Sequence, residues 1–165
     1  MKSLGSLFNS LQLQTAYAHC DIPCGIYDPY PAQIAAHTVI RMTQSIGEAH
    51  AESDSSEDQK KLMHAIARYT RVKEDHAELV KREIRVIWGD YFKPEHVKKF
   101  PKLHELVFNI MKHASKAKQE VNIEEAKELL ELVQQFAEIF WKTKGKEPVR
   151  VASAYPTGGE MVIYK

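Results

Sequence analysis

The residues with the greatest capacity for chemistry stand together near the amino terminus, in His19-Cys20-Asp21-Ile22-Pro23-Cys24-Gly25-Ile26-Tyr27-Asp28-Pro29. Cys20 and Cys24 are the only two cysteines in the chain. A disulfide between them would close one short loop and constrain almost nothing else, so they do not act as a structural staple. On spacing alone they admit several uses: a redox pair, an incidental disulfide, inert thiols or, with His19, half of a zinc site. A cut before His19 changes the donors on offer. The new α-amine, the next amide nitrogen and the Cys20 thiolate can close around one metal in fused five-membered rings. Pro23 and Gly25 bend the loop into a hook, so that Cys24 reaches back as a second thiolate. Such a plane of two nitrogens and two sulfurs suits divalent nickel or copper, with the thiolates as soft ligands. The His19 imidazole is left for an axial position. Strong thiolate donation would then bring a higher oxidation state within reach of one-electron chemistry.

The segment that would have to be removed is residues 1–18. It carries Lys2, no acidic residue, and Ala16-Tyr17-Ala18 at its end, which imitates the small-x-small pattern of a signal cleavage site. Ser6, Asn9, Ser10, Gln12 and Gln14 interrupt its apolar stretch, so a removable leader that is not an export signal is the better reading, and the chain is expected in the cytoplasm. The whole chain has 23 basic and 22 acidic residues, and losing Lys2 with the leader leaves 22 of each. That balance does not fit a basic nucleic-acid binder. No apolar run reaches the length of a membrane-spanning helix, so neither nucleic acid nor membrane is an expected partner. An anionic substrate would have to be attracted by local charge.

The elements that position the hook read as helices. After the proline-rich loop, Pro31 suits the first turn of a helix to about Glu52, with Ile34, Val39, Met42 and Ile46 at helical spacing. A second helix starts near Ser55 or Ser56, where Ser56 and Gln59 suit a capping box. Its expected buried stripe is Leu62, Ile66, Tyr69, Val72, His76, Leu79, Glu83 and Ile87. Trp88-Gly89-Asp90-Tyr91-Phe92-Lys93-Pro94 is a bulky aromatic connector. Pro101 can open a third helix, with Leu103, Leu106, Val107, Ile110 and Met111 buried. Asn122 caps a fourth, with Glu125 at its third position, and Gly145 ends it. Long helices with short connections predict an all-α fold, an antiparallel four-helix bundle with the amino-terminal hook and a carboxy-terminal extension. The domain division is a leader at 1–18, hook and bundle at 19–145, and a tail at 146–165. The tail has two apolar patches, Val149 to Ala152 and Met161 to Tyr164, and is compatible with disorder, a short docked strand or a partner contact.

The hook resembles that of the nickel superoxide dismutases at nearly every position. The resemblance continues in Trp88 to Pro94, in Phe100-Pro101 with Leu103-His104, and in Ile139-Phe140-Trp141, so it spans roughly His19 to Lys144. It implies disproportionation of superoxide to dioxygen and hydrogen peroxide at one nickel ion per subunit, cycling between the divalent and trivalent states. It also implies a leader-removing protease and a homohexamer of four-helix bundles. In that reading His19 supplies its α-amine and, when nickel is oxidised, its imidazole. Cys20 supplies a backbone nitrogen and a thiolate, and Cys24 the second thiolate. Tyr27 and Tyr91 match tyrosines at the open face of the metal, and Asp21 and Lys93 match positions near the approach to it.

Two positions depart from the pattern. Where better-known members place a glutamate and an arginine that hold the axial imidazole, this chain has Ala35 and His76. The outer shell that orients the ligand is therefore altered, and His37 and His76 are candidates to replace it. His50, His64, His96, His104 and His113 lack a shared ligand spacing and read as solvated. Lys98, Lys99 and Lys102 read as a solvated face that could assist anion steering. The rival from another class is a thiol-redox or metal-binding helical protein that keeps its leader.

Overall fold

The structure is a computed structural model and describes residues 25–165; His19, Cys20, Asp21 and Cys24 lie outside the described residues. Five α-helices follow in order: α1 (Tyr30–Glu48), α2 (Ser56–Val86), α3 (Pro94–Lys99), α4 (Leu103–Gln119) and α5 (Ile123–Thr143). A π-helical turn, Ile87–Tyr91, continues α2, and two strands, β1 (Pro148–Ala152) and β2 (Glu160–Tyr164), close the chain. The long helices pack as a ring, α1 on α2, α2 on α4, α4 on α5 and α5 on α1. This is the expected four-helix bundle. Its core joins Ala32, Ala36 and Val39 of α1 to Val80 and Ile84 of α2, Leu103 and Ile110 of α4, and Leu129, Val133, Phe136 and Phe140 of α5.

Local chemistry sets the helix ends. Pro31 lies in the first turn of α1, where its missing N–H costs nothing. The helix stops at Glu48 rather than Glu52, with Ala49 already extended, and His50 Nδ1 donates to the Glu48 carbonyl at 3.0 Å. Ser55, not Ser56, caps α2 by accepting from the Asp58 amide at 3.1 Å. Asn122 caps α5 as expected, accepting from the amides of Glu124 and Glu125. The Glu125 carboxylate does not complete a capping box but instead takes His113 at 2.7 Å and Lys116 at 3.1 Å. Gly145, at φ +71°, ends α5 with the Lys146 and Gly145 amides bonded to the carbonyls of Trp141 and Lys142. A left-handed turn of this kind favours glycine.

Two expectations need correction. In α2 the buried positions are Lys73, Ala77, Val80 and Ile84, one residue on from Val72, His76 and Glu83. The steps 66, 73, 77, 80, 84 and 87 keep the helical period, but they run through a lysine, which hydrophobicity alone passes over. Lys73 is 2% exposed, and its ammonium donates to the carbonyls of Lys118 and Glu120 at the end of α4. Cations are favoured at that end of a helix. The third long helix also begins later than Pro101: Pro94 opens the short α3, and Phe100 to Lys102 form a turn before Leu103.

The tail is a docked antiparallel hairpin, with Pro148 opposite Tyr164 and Ala152 opposite Glu160. Its attachment is polar. Gln33 Nε2 donates to the Val162 carbonyl at 3.0 Å, and Gln33 Oε1 accepts from the Val162 amide at 2.7 Å, much as a neighbouring strand would. Gln134 donates to the Glu160 carbonyl. Arg150 spans Glu131 and Glu138 of α5, both contacts at 2.7 Å, and this pairing holds the Glu131 carboxyl below its ordinary value. The hairpin therefore satisfies glutamines that would otherwise be buried without partners.

Candidate metal centre

Gly25 follows Cys24 directly and adopts φ +72°, a conformation that reverses the chain and favours glycine. Asp28 Oδ1 accepts the Tyr30 amide at 2.8 Å, and the buried Pro29 leads into α1. Between these turns, Tyr27 packs against Tyr91 with ring centroids 5.7 Å apart.

Tyr91 is positioned by the π-helical turn. The Phe92 amide reaches back to the Ile87 carbonyl at 3.3 Å, which widens the helix by one residue and turns the ring against α5. The ring meets Phe140 at 4.8 Å and lies nearly parallel to His96 at 5.5 Å. Lys144 places its ammonium 4.6 Å from the ring centre, a cation–π contact. The hydroxyl lies 2.8 Å from Thr143 Oγ1. Tyr27 and Tyr91, far apart in sequence, are therefore brought together at the end of the bundle where α5 finishes and α1 begins.

Lys93 is exposed and stands before α3, with its amide donating to His96 Nδ1 at 3.1 Å. His96 is thus fixed against Tyr91 and is not simply solvated. His104 accepts from the Trp88 indole at 2.9 Å and His113 pairs with Glu125, so these two also have defined partners. Each partner lies on another element or turn, beyond the reach of spacing. Ala35 is fully buried in the core, and His76 Nδ1 bonds the Val72 carbonyl of its own helix at 2.8 Å. His37 is 3% exposed, with Nδ1 against Thr157 Oγ1 at 2.8 Å and Nε2 against the Glu160 carbonyl at 3.1 Å. Both of its nitrogens are engaged by the hairpin. Burial lowers its pKa.

Sequence reading missed His96, Thr143 and Lys144 as neighbours of Tyr91. Only the helical offset from Phe140 to Thr143 and Lys144 hinted at a shared end of α5. Among the described residues no group of three or more His, Cys, Asp or Glu could hold a metal ion. The donors must come from elsewhere if a metal sits here, and the hook tethered at Gly25 has donors of the right softness.

A four-helix bundle that sets Tyr27, just ahead of α1, against Tyr91 of the π-helical turn defines the class, a helical-bundle protein with a tyrosine pair at one end. The sequence pattern described as nickel-containing superoxide dismutase matches residues 14–144, and the chain belongs to that family. Superoxide dismutase [Ni] from Streptomyces coelicolor is 40% identical over 130 residues, 79% of this chain and 91% of its own length. The protein of the same name from Streptomyces seoulensis is 40% identical over 127 residues, 77% and 88% of the two chains. The native structure of nickel superoxide dismutase matches with a TM-score of 0.63 at 38% identity, covering 76% of this chain and 99% of that one. A structure with nickel ligation corresponding to the oxidised state gives 0.66 at 37% identity, with 77% and 99% covered. The hairpin lies beyond the matched residues.

Proposed function

We infer that this chain, once cut before His19, is a nickel superoxide dismutase with its metal in the amino-terminal hook. Two superoxide anions and two protons become dioxygen and hydrogen peroxide, one anion giving up the electron that the other receives. The bound nickel supplies the relay for that electron through its divalent and trivalent states. His19 would hold it through the α-amine and the imidazole, Cys20 through amide nitrogen and thiolate, and Cys24 through its thiolate. The observation that best supports the reading is the Tyr27–Tyr91 pair, 5.7 Å apart, at the point where the hook joins the bundle.

The chain's other residues would restrict and orient. Tyr27 and Tyr91 narrow the open face and offer hydroxyls for hydrogen bonding without ligating the metal. Asp21 and Lys93 are the residues proposed for the approach, and the ammonium groups of Lys93 and Lys144 would favour arrival of an anion. The domain division proposed is a leader at 1–18, a catalytic body at 19–145 and the tail at 146–165. A homohexamer is the proposed assembly. In support, the first half of α2 contains no buried residue, and Met63 and Phe108 are 61% and 59% exposed. Sedimentation should give six times the mass of the mature chain. Location in the cytoplasm is likewise proposed, from the composition of the leader.

Maturation provides the decisive experiment. An acylated His19 nitrogen is a poor donor until it loses its proton, and the leader would crowd the His19 imidazole. A chain beginning at His19 and one retaining a single extra residue are loaded with nickel under reducing conditions. The first should dismute superoxide and show the rhombic trivalent-nickel resonance of an axial imidazole; the second should do neither. Equal activity and the same resonance in both would overturn the coordination scheme.

A further inference from the structure

We propose that Thr143 is a positioning residue that turns the Tyr91 hydroxyl proton into the last turn of α5, so that Tyr91 meets a ligand at the open face as a hydrogen-bond acceptor. The inference rests on Tyr91 standing beside the metal, as proposed above.

The argument is a count of protons. A threonine hydroxyl carries one. Thr143 Oγ1 lies 2.6 Å from the carbonyl oxygen of Phe140, an atom that can only accept, so the threonine proton is spent there. The same Oγ1 lies 2.8 Å from the Tyr91 oxygen. With the threonine proton committed, the phenol must be the donor in that contact. Its single proton therefore points into α5, and the rest of the oxygen presents lone pairs. The arrangement is held on several sides. Phe140 packs on the ring at 4.8 Å, His96 lies nearly parallel at 5.5 Å and Lys144 stands over it at 4.6 Å. Thr143 is itself fixed in the helical turn that Gly145 closes.

Small oxygen species differ in what they offer such a phenol. Superoxide and inhibitory anions such as azide carry no proton to donate, whereas water and hydrogen peroxide do. A Tyr91 that only accepts favours water and peroxide and gives no hydrogen bond to a bare anion. Thr143, which touches neither ligand nor metal, thereby sets the ligand preference of the tyrosine.

The test has two arms. In metal-free protein with labelled tyrosine, the Tyr91 hydroxyl proton should be protected from exchange and show a nuclear Overhauser contact to residue 143. It should persist in Thr143→Ser and vanish in Thr143→Val, which keeps the volume without the hydroxyl. In nickel-loaded protein cut before His19, Thr143→Val should tighten azide inhibition about tenfold, the effect of one hydrogen bond to a charged group. Thr143→Ser should restore the wild-type inhibition constant. An unprotected hydroxyl in the wild type overturns the inference without recourse to any variant, as does a signal that survives in Thr143→Val. Unchanged azide inhibition in Thr143→Val overturns it as well, and Tyr91→Phe then separates the causes. If that variant alters inhibition, Tyr91 keeps its place at the site and only the part assigned to Thr143 falls. If it does not, the placement of Tyr91 falls too.

Discussion

Cys20 and Cys24 carry the sharpest consequence of the proposed site. In that reading their thiolates would hold the metal, while the described core is formed by α1, α2, α4 and α5. Cys20→Ser and Cys24→Ser should each lose nickel and activity, with helical circular dichroism unchanged; near-normal turnover in either would contradict the ligand set. Tyr27→Phe should retain nickel but change rate or anion inhibition, read by metal analysis beside kinetics. Lys73 illustrates a different use of a charged residue. Desolvation lowers its pKa, yet its ammonium is the partner of two carbonyls at the end of α4. Lys73→Met fills similar space but leaves those carbonyls unpaired. It should cost about 2 kcal/mol in urea unfolding, and a neutral result would mean that water replaces the amine.

Among the elements, the carboxy-terminal hairpin makes a pH-dependent contact through His37. Burial depresses the His37 pKa below the ordinary value of 6.5, so the docked state resists protonation. When docking is lost, the ring returns to its ordinary value and binds the proton more readily. Stability from this contact is complete above about pH 7.5 and declines as pH falls through about 6.5, by at most about 1.4 kcal/mol per pH unit until the docked pKa is reached. Thermal unfolding at pH 7.5 and 5.5 should show that loss, and His37→Gln should remove the part due to this ring. A wild type and variant with equal pH responses would dismiss the latch. The caps are simpler: Asn122→Ala should cost about 1 kcal/mol through the lost bonds to the Glu124 and Glu125 amides.

At the scale of the whole molecule, the bundle is a scaffold whose one end gathers residues from the hook's exit, the π-helical turn and the finish of α5. The hairpin lies against α1 and α5 and reaches the same end, where Tyr164 packs on Trp141 at 4.2 Å. A chain ending at Gly145 keeps the core residues of the four long helices but uncovers Gln33, His37 and Gln134. It should fold and retain nickel, with a lower melting temperature by calorimetry. Loss of nickel on truncation would show that the hairpin supports the hook and not the bundle alone.

The amino-acid sequence by itself determined the helices, the Asn122 cap and the Gly145 stop, because these depend on neighbours within a turn or two. It also marked the hook, where His19, Cys20 and Cys24 combine rare donors at short spacing, while Tyr27 and Tyr91 entered only through the resemblance to the family. Only the tertiary structure decided what depends on meetings across the bundle. Lys73 could be buried because the end of α4 offers two carbonyls there, which no pattern within α2 reveals. His37 became a hairpin contact because Thr157 and Glu160 fold back onto it. The tail became strands because Gln33, Gln134, Glu131 and Glu138 supply the partners that a two-stranded ribbon lacks alone. Thr143, Lys144 and His96 joined Tyr91 only when the π-helical turn swung its ring against α5. Directional contacts between distant residues need the fold to bring their atoms within hydrogen-bonding distance, and periodicity along one helix carries no record of them.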